Sequence, residues 1–86
     1  MLRPVITDAE IHVVIGHVAG KLWTRLEQKG PAKFISRHEA FGVLMEEVHE
    51  LEHAVEEAGL EGFHDELMDI AVAAILGLVS LGSFEW

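Results

Sequence analysis

The chain has 86 residues, with fifteen Asp or Glu against six Lys or Arg, and a net charge of −9 with histidine neutral. That length holds one domain, expected over residues 1–86. The acidity argues against a nucleic-acid polymer or an anionic membrane as partner, since both demand clustered cations. The absence of cysteine excludes disulfides and thiolate metal sites, and fits a reducing cytoplasm.

Half of the residues are hydrophobic. A domain this small buries only a modest share of its surface, so the apolar excess is expected to form an interface with a second copy of the chain. The N-terminus, MLRPVITDAE, lacks the apolar core of a signal peptide. The most apolar run, Ile70 to Leu81, is shorter than the roughly 20 residues a bilayer requires and reads as a helix buried in protein.

Three helical segments follow in chain order, with no β-alternation, repeat or linker. The first is predicted from Asp8 to Gln28, capped by Thr7 or Asp8 and ended by Gly30-Pro31. Ile11, Val14, Ile15, Val18, Leu22 and Leu26 recur at helical spacing along it. A connector, Lys29 to Ile35, leads to the second helix. Ser36 and Glu39 form an S-x-x-E capping box there, in which each side chain serves the other's free backbone N–H. Phe41, Leu44, Val48, Leu51, Val55 and Ala58 make the expected core seam of this helix, and Gly59 is its stop. Leu60 to Gly62 read as a tight turn, and the third helix as Phe63 to Leu81. So short a connection predicts an antiparallel αα-hairpin of the second and third helices. The expected fold is all-α: a three-helix subunit of a helical-bundle homo-oligomer.

Candidates for chemistry concentrate on that hairpin. Glu47 and Glu50 are spaced i, i+3, as are Glu66 and Asp69, and that spacing puts each pair on one helical face. On a helical wheel Glu47 and Glu50 share a stripe with Val43 and Ala54, beside the core seam. Glu46, His49, Glu52, His53, Glu56 and Glu57 take the remaining, solvated circumference. Asp69 is the single charged residue from Leu67 to Leu81, and its stripe contains Gly62, Glu66 and Ala73. An ionised carboxylate in so apolar a setting is costly unless it finds a cation or lines a wet cleft. Two acid pairs meeting across a hairpin suit a hard divalent cation such as Mg2+, which takes oxygen ligands and shares itself with phosphates.

Glu46-Glu47-Val48-His49-Glu50-Leu51, followed by Glu66-Leu67-Met68-Asp69-Ile70, resembles the EExxE…ExxD signature of the MazG-like, all-α nucleoside triphosphate pyrophosphohydrolases. Fifteen residues, Leu51 to Asp65, separate the half-motifs. The stretch beginning at Phe34 resembles short phage- or mobile-element-type members, and the likeness extends from about Phe34 to Leu78. It implies cleavage of a (d)NTP between the α and β phosphates, giving monophosphate and pyrophosphate. It further implies Mg2+, or Mn2+, held by Glu47, Glu50, Glu66 and Asp69. Glu47 or Glu50 would activate the attacking water, and the site would belong to a homodimer or tetramer. Longer members use an N-terminal Trp against the base. The comparable residue here, Trp23, is expected instead to pack at the end of the first helix.

Five of the six cations, Lys21, Arg25, Lys29, Lys33 and Arg37, cluster between the first helix and the start of the second. Such a cluster suits a triphosphate-binding rim, with Lys33 and Arg37 the nearest to the family-like stretch. Ordinary solubilising charge is the competing reading. His38, near a helix start, has either a phosphate or a plain surface role. His12 and His17 are expected to be partly buried, and Phe34 and Phe41 to be core.

Two other functions compete. His49-Glu50-Leu51-Glu52-His53 reads HExxH, a zinc-peptidase pattern. Its histidines fall on the polar side of the wheel, and the chain leaves no room for a peptide-binding subdomain. A non-catalytic helical interaction module is the other.

Overall fold

The computed structural model describes residues 2–57 and 59–82, and they form an all-α structure. Its helices are α1 (Asp8–Lys29), α2 (Arg37–Glu57) and α3 (Gly59–Leu81). None of them is long and apolar enough to cross a membrane.

Each helix starts and stops for a local reason. Thr7 caps α1: its hydroxyl accepts from the Glu10 N–H at 3.2 Å, while the Glu10 carboxylate accepts from the Thr7 N–H at 2.9 Å. This reciprocal box, Thr7-x-x-Glu10, completes the expected cap. Gly30, at φ 85°, ends α1 and donates its N–H to the Leu26 carbonyl at 2.9 Å. At α2 the Ser36 hydroxyl accepts from the Glu39 N–H at 3.0 Å. The returning bond differs from expectation, because the Glu39 carboxylate accepts from the Ile35 N–H, at 2.8 Å, one residue earlier.

The predicted turn at Leu60–Gly62 is helical instead. Gly59 has φ 68°, a conformation that costs glycine little, and α3 begins there. Leu60 and Glu61, being good helix formers, are absorbed into its first turn.

α3 packs against both α2 and α1, whereas α1 and α2 do not pack on each other. Small residues let α2 and α3 approach closely. Ala54, Val72 and Ala73 are the buried apolar residues among those described. A β-carbon at Gly77 would lie 3.7 Å from that of Ala40, ordinary van der Waals contact. The connector is tied down by the Phe34 N–H, which donates to Ser80 Oγ on α3 at 3.0 Å.

The buried face of α2 is rotated from the expected seam. Leu44, Val48 and Leu51 are half-buried, but Phe41 and Val55 are each 64% exposed; Ala58 lies outside the described residues. Inward faces instead include Ala40, Val43, Glu47 and the buried Ala54. The seam turns toward the acidic stripe, where the small side chains of Ala40 and Ala54 permit close approach to α3.

α1 departs further. Val18, Leu22 and Leu26 are half-buried, but residues 8–17 are exposed throughout, including Ile11, Val14, Ile15, His12 and His17. Trp23 is 65% exposed. The expected burial of both histidines and of Trp23 is therefore corrected: α1 has no helix covering those faces.

Candidate metal centre

Glu47 and Glu50 are one turn apart on α2, and Glu66 and Asp69 one turn apart on α3. The close seam between the helices turns the two pairs toward each other. One oxygen from each of the four carboxylates falls in a set whose members all lie within 4.8 Å of one another. Glu47, Glu66 and Asp69 are half-buried, and Glu50 is exposed. Among the described residues this is the single such group of metal-ligating side chains.

Two observations test whether these residues fit a cation. First, the scale is right. Mg2+ binds oxygens at about 2.0–2.1 Å, so oxygens on its opposite sides stand ~4.2 Å apart. Second, Glu47 Oε2 and Glu66 Oε2 are buried and have no hydrogen-bond partner. Orphaned oxygens of this kind require an explanation, and a hard cation supplies one. The donor set, all carboxylate, matches the preference of Mg2+ and Mn2+ for oxygen.

The electrostatics agree. Burial pushes the Glu47 carboxyl up to about 6, helped by the negative charges of Glu50 and Asp69. Glu66 is also raised, first by burial and then by the charge of Glu50, with Lys21 pulling the other way. Four acids held this close resist joint ionisation, and a divalent ion would relieve them.

One cation of the protein already reaches the cluster. Lys21 Nζ lies 3.0 Å from Asp69 Oδ1 and donates to the Asp65 carbonyl oxygen at 3.3 Å. With all four acids ionised, the bridge still leaves three negative charges in excess. Sequence reasoning placed Lys21 in the basic cluster but not opposite Asp69. Their pairing across α1 and α3 has no local signal.

Three of the four acids open onto a cleft of about 310 Å³ between α1 and α2, lined by Glu47, Glu50, Asp69 and Val72 on one side and Lys21, Thr24, Arg25, Gln28 and Lys29 on the other. It exists because α1 and α2 do not pack on each other, leaving α3 as the floor. Lys33 and Arg37 do not line it. Lys33 faces an adjoining hollow that shares Arg25 and Lys29. Arg37 borders a larger, mainly apolar hollow of about 660 Å³ with Ala40, Phe41, Leu44 and Leu78. Among the described residues, Arg37 is the one charged side chain lining that hollow.

His49 and His53 are exposed, and neither joins the ligand group. His49 Nδ1 lies 3.8 Å from Glu52 Oε2, its own helical neighbour. His53 and Glu66 border a common shallow hollow with Glu50 and Glu57, but no convergent His-His-acid set is formed among the described residues.

Set against protein-family models, curated proteins and solved structures, the chain matches none of them. The site is thus defined by its own geometry.

Proposed function

We propose that the protein is a Mg2+-dependent nucleoside triphosphate pyrophosphohydrolase, with Mn2+ as an alternative ion. The observation that carries this reading is the meeting of four carboxylates within 4.8 Å, two of them with buried oxygens lacking any partner. The EExxE…ExxD resemblance supplies the reaction. Phosphoanhydride hydrolysis needs charge neutralisation and in-line positioning more than covalent catalysis, which suits a site built on four convergent acids.

In this proposal Glu47, Glu50, Glu66 and Asp69 hold the ion, which when bound neutralises phosphate charge. Glu50, the exposed acid at the cleft, and Glu47 beside it orient the attacking water and accept its proton. The water oxygen bonds to phosphorus as the α–β bridge breaks, and pyrophosphate departs. Lys21 holds Asp69 in place. The antiparallel α2–α3 hairpin is the rigid frame that fixes the distance between the acid pairs. A homodimer or larger homo-oligomer covers the exposed apolar face of α1.

The test is pyrophosphate release from a panel of canonical and modified (d)NTPs with Mg2+ or Mn2+, and with EDTA as control. Metal-dependent release with a preferred base is the expected result. No release from any nucleotide by folded protein would refute the enzyme and leave the acids as part of an interaction module. His49→Ala should leave turnover within about twofold, because a solvated side chain away from the cluster contributes little; a complete loss would return attention to the HExxH pattern.

A further inference from the structure

The acids form one wall of the cleft; the opposite wall is α1. Lys21, Arg25 and Lys29 are spaced four apart, with Thr24 and Gln28 between them, and all five line that wall. Positions i and i+4 share a helical face, so the three cations form a stripe opposite the carboxylates. Their uses differ. Lys21 is engaged with Asp69 and the Asp65 carbonyl. Arg25 and Lys29 make no ion pair among the described residues.

A cleft with an acidic wall and a cationic wall selects its occupant. A bare anion is repelled by Glu47, Glu50 and Asp69, and a bare cation by Arg25 and Lys29. A polyanion carrying a divalent cation satisfies both walls, with the metal toward the acids and the phosphates toward the bases. Arg adds two-point recognition of phosphate oxygens and Lys a mobile point charge.

We infer that Arg25 and Lys29 bind the phosphate chain of a metal-chelated di- or triphosphate, with Lys21 as the residue that positions Asp69. This rests on the metal-site reading above. It transfers phosphate binding from Lys33 and Arg37, which the sequence favours, to the basic stripe of α1 that lines the cleft. The reason is topological: α1 faces the acids across the cleft, whereas Lys33 and Arg37 line other hollows.

The test measures two ligands separately on the full chain. Mn2+ alone is titrated by electron paramagnetic resonance, and inorganic pyrophosphate by calorimetry, with Mn2+ or with EDTA. The proteins are wild type, R25Q/K29Q, K33Q/R37Q and the charge-preserving R25K/K29R, each checked for helicity by circular dichroism. For R25Q/K29Q, unchanged Mn2+ binding is expected, with pyrophosphate binding in Mn2+ weakened tenfold or more. R25K/K29R should retain most of the affinity, and K33Q/R37Q should stay within twofold of wild type.

Equal pyrophosphate affinity in R25Q/K29Q and wild type would overturn the inference while leaving the metal reading standing on the Mn2+ titration. Equal losses in R25Q/K29Q and K33Q/R37Q would also overturn it, as a general charge effect. No pyrophosphate binding by wild type would do the same. Wild type that binds no Mn2+, yet binds pyrophosphate in EDTA and loses that binding in R25Q/K29Q, would sink the metal reading and overturn the metal-chelated ligand with it, leaving a stripe that binds bare phosphate.

Discussion

The seam between α2 and α3 and the first half of α1 treat apolar side chains in opposite ways. At the seam, Ala40, Ala54, Ala73 and Gly77 are small enough for the helices to close on each other, and Val72 is only 2% exposed. Along α1, Ile11, Val13, Val14 and Ile15 stand open to solvent. Covering such side chains would contribute about 1–2 kcal/mol each, which the chain as a single copy forgoes. The tight seam sets the distance between the two acid pairs. The first half of α1 carries no such contact, and its apolar side chains stay open.

The largest expected effect falls on the seam's acids. Asp69→Asn or Glu47→Gln should reduce turnover by at least about a hundredfold, since even outer-shell partners of metal ligands are worth 10–100-fold. Circular dichroism should report unchanged helicity, and full Mg2+-dependent activity in either variant would refute the assigned roles. On the other side of the comparison, Ile15→Asp should weaken self-association by roughly tenfold or more, the equivalent of about 1.4 kcal/mol. Sedimentation velocity would show it, with Mn2+ binding unaltered; an unchanged oligomer would place the interface elsewhere.

Val72→Ala should lower stability by about 2 kcal/mol, because it removes methyl groups from the buried floor of the cleft. A change under about 0.5 kcal/mol in chemical denaturation would mean that this contact is looser than its burial implies.

A smaller effect is pH-dependent. Glu47 is raised from 4.5 to about 6 in the folded protein, so the folded state holds a proton that the unfolded chain has already released between those values. Stability from this group is present below about 4.5 and is lost as pH rises through about 6. A shift of that size corresponds to about 2 kcal/mol, which solvent screening of a half-buried group roughly halves, so metal-free wild type should lose about 1 kcal/mol relative to Glu47→Gln across that window, or a few degrees in Tm. Saturating Mg2+ should reverse the loss by binding the folded state. Parallel Tm curves for the two proteins would remove the repulsion argument. The smallest effect belongs to the caps: Ser36→Ala should cost about 1 kcal/mol, and Thr7→Ala roughly half that, because α2 is packed and the start of α1 is exposed. Equal losses would mean that the start of α1 is more ordered than its exposure suggests.

Much of the fold was legible because its signals are local. Thr7 and Ser36 announce helix starts and Gly30 announces an end, while Gly59 marks the point at which α3 begins. The i, i+3 spacing places each acid pair on one face without any tertiary information. The α2 apolar pattern was less reliable: it marks a face but not how much of that face is covered, and Phe41 and Val55 remain open. Trp23, His12 and His17 were misplaced for the same reason, since periodicity cannot say whether a partner helix is present. The basic cluster was visible, but the half of it that faces the acids was not, because Lys21 and Asp69 meet only through the docking of α1 on α3.

The sequence by itself determined three helices, the caps at the starts of α1 and α2, the pairing of acids along each of two helices, and a high apolar content. Those follow from spacing and local hydrogen bonding. Tertiary structure alone decided that the acid pairs converge, that Lys21 reaches Asp69, and that α1 stands away from α2 to open a two-signed cleft. These depend on which faces approach and how closely, which small side chains at the α2–α3 seam control and no single helix encodes.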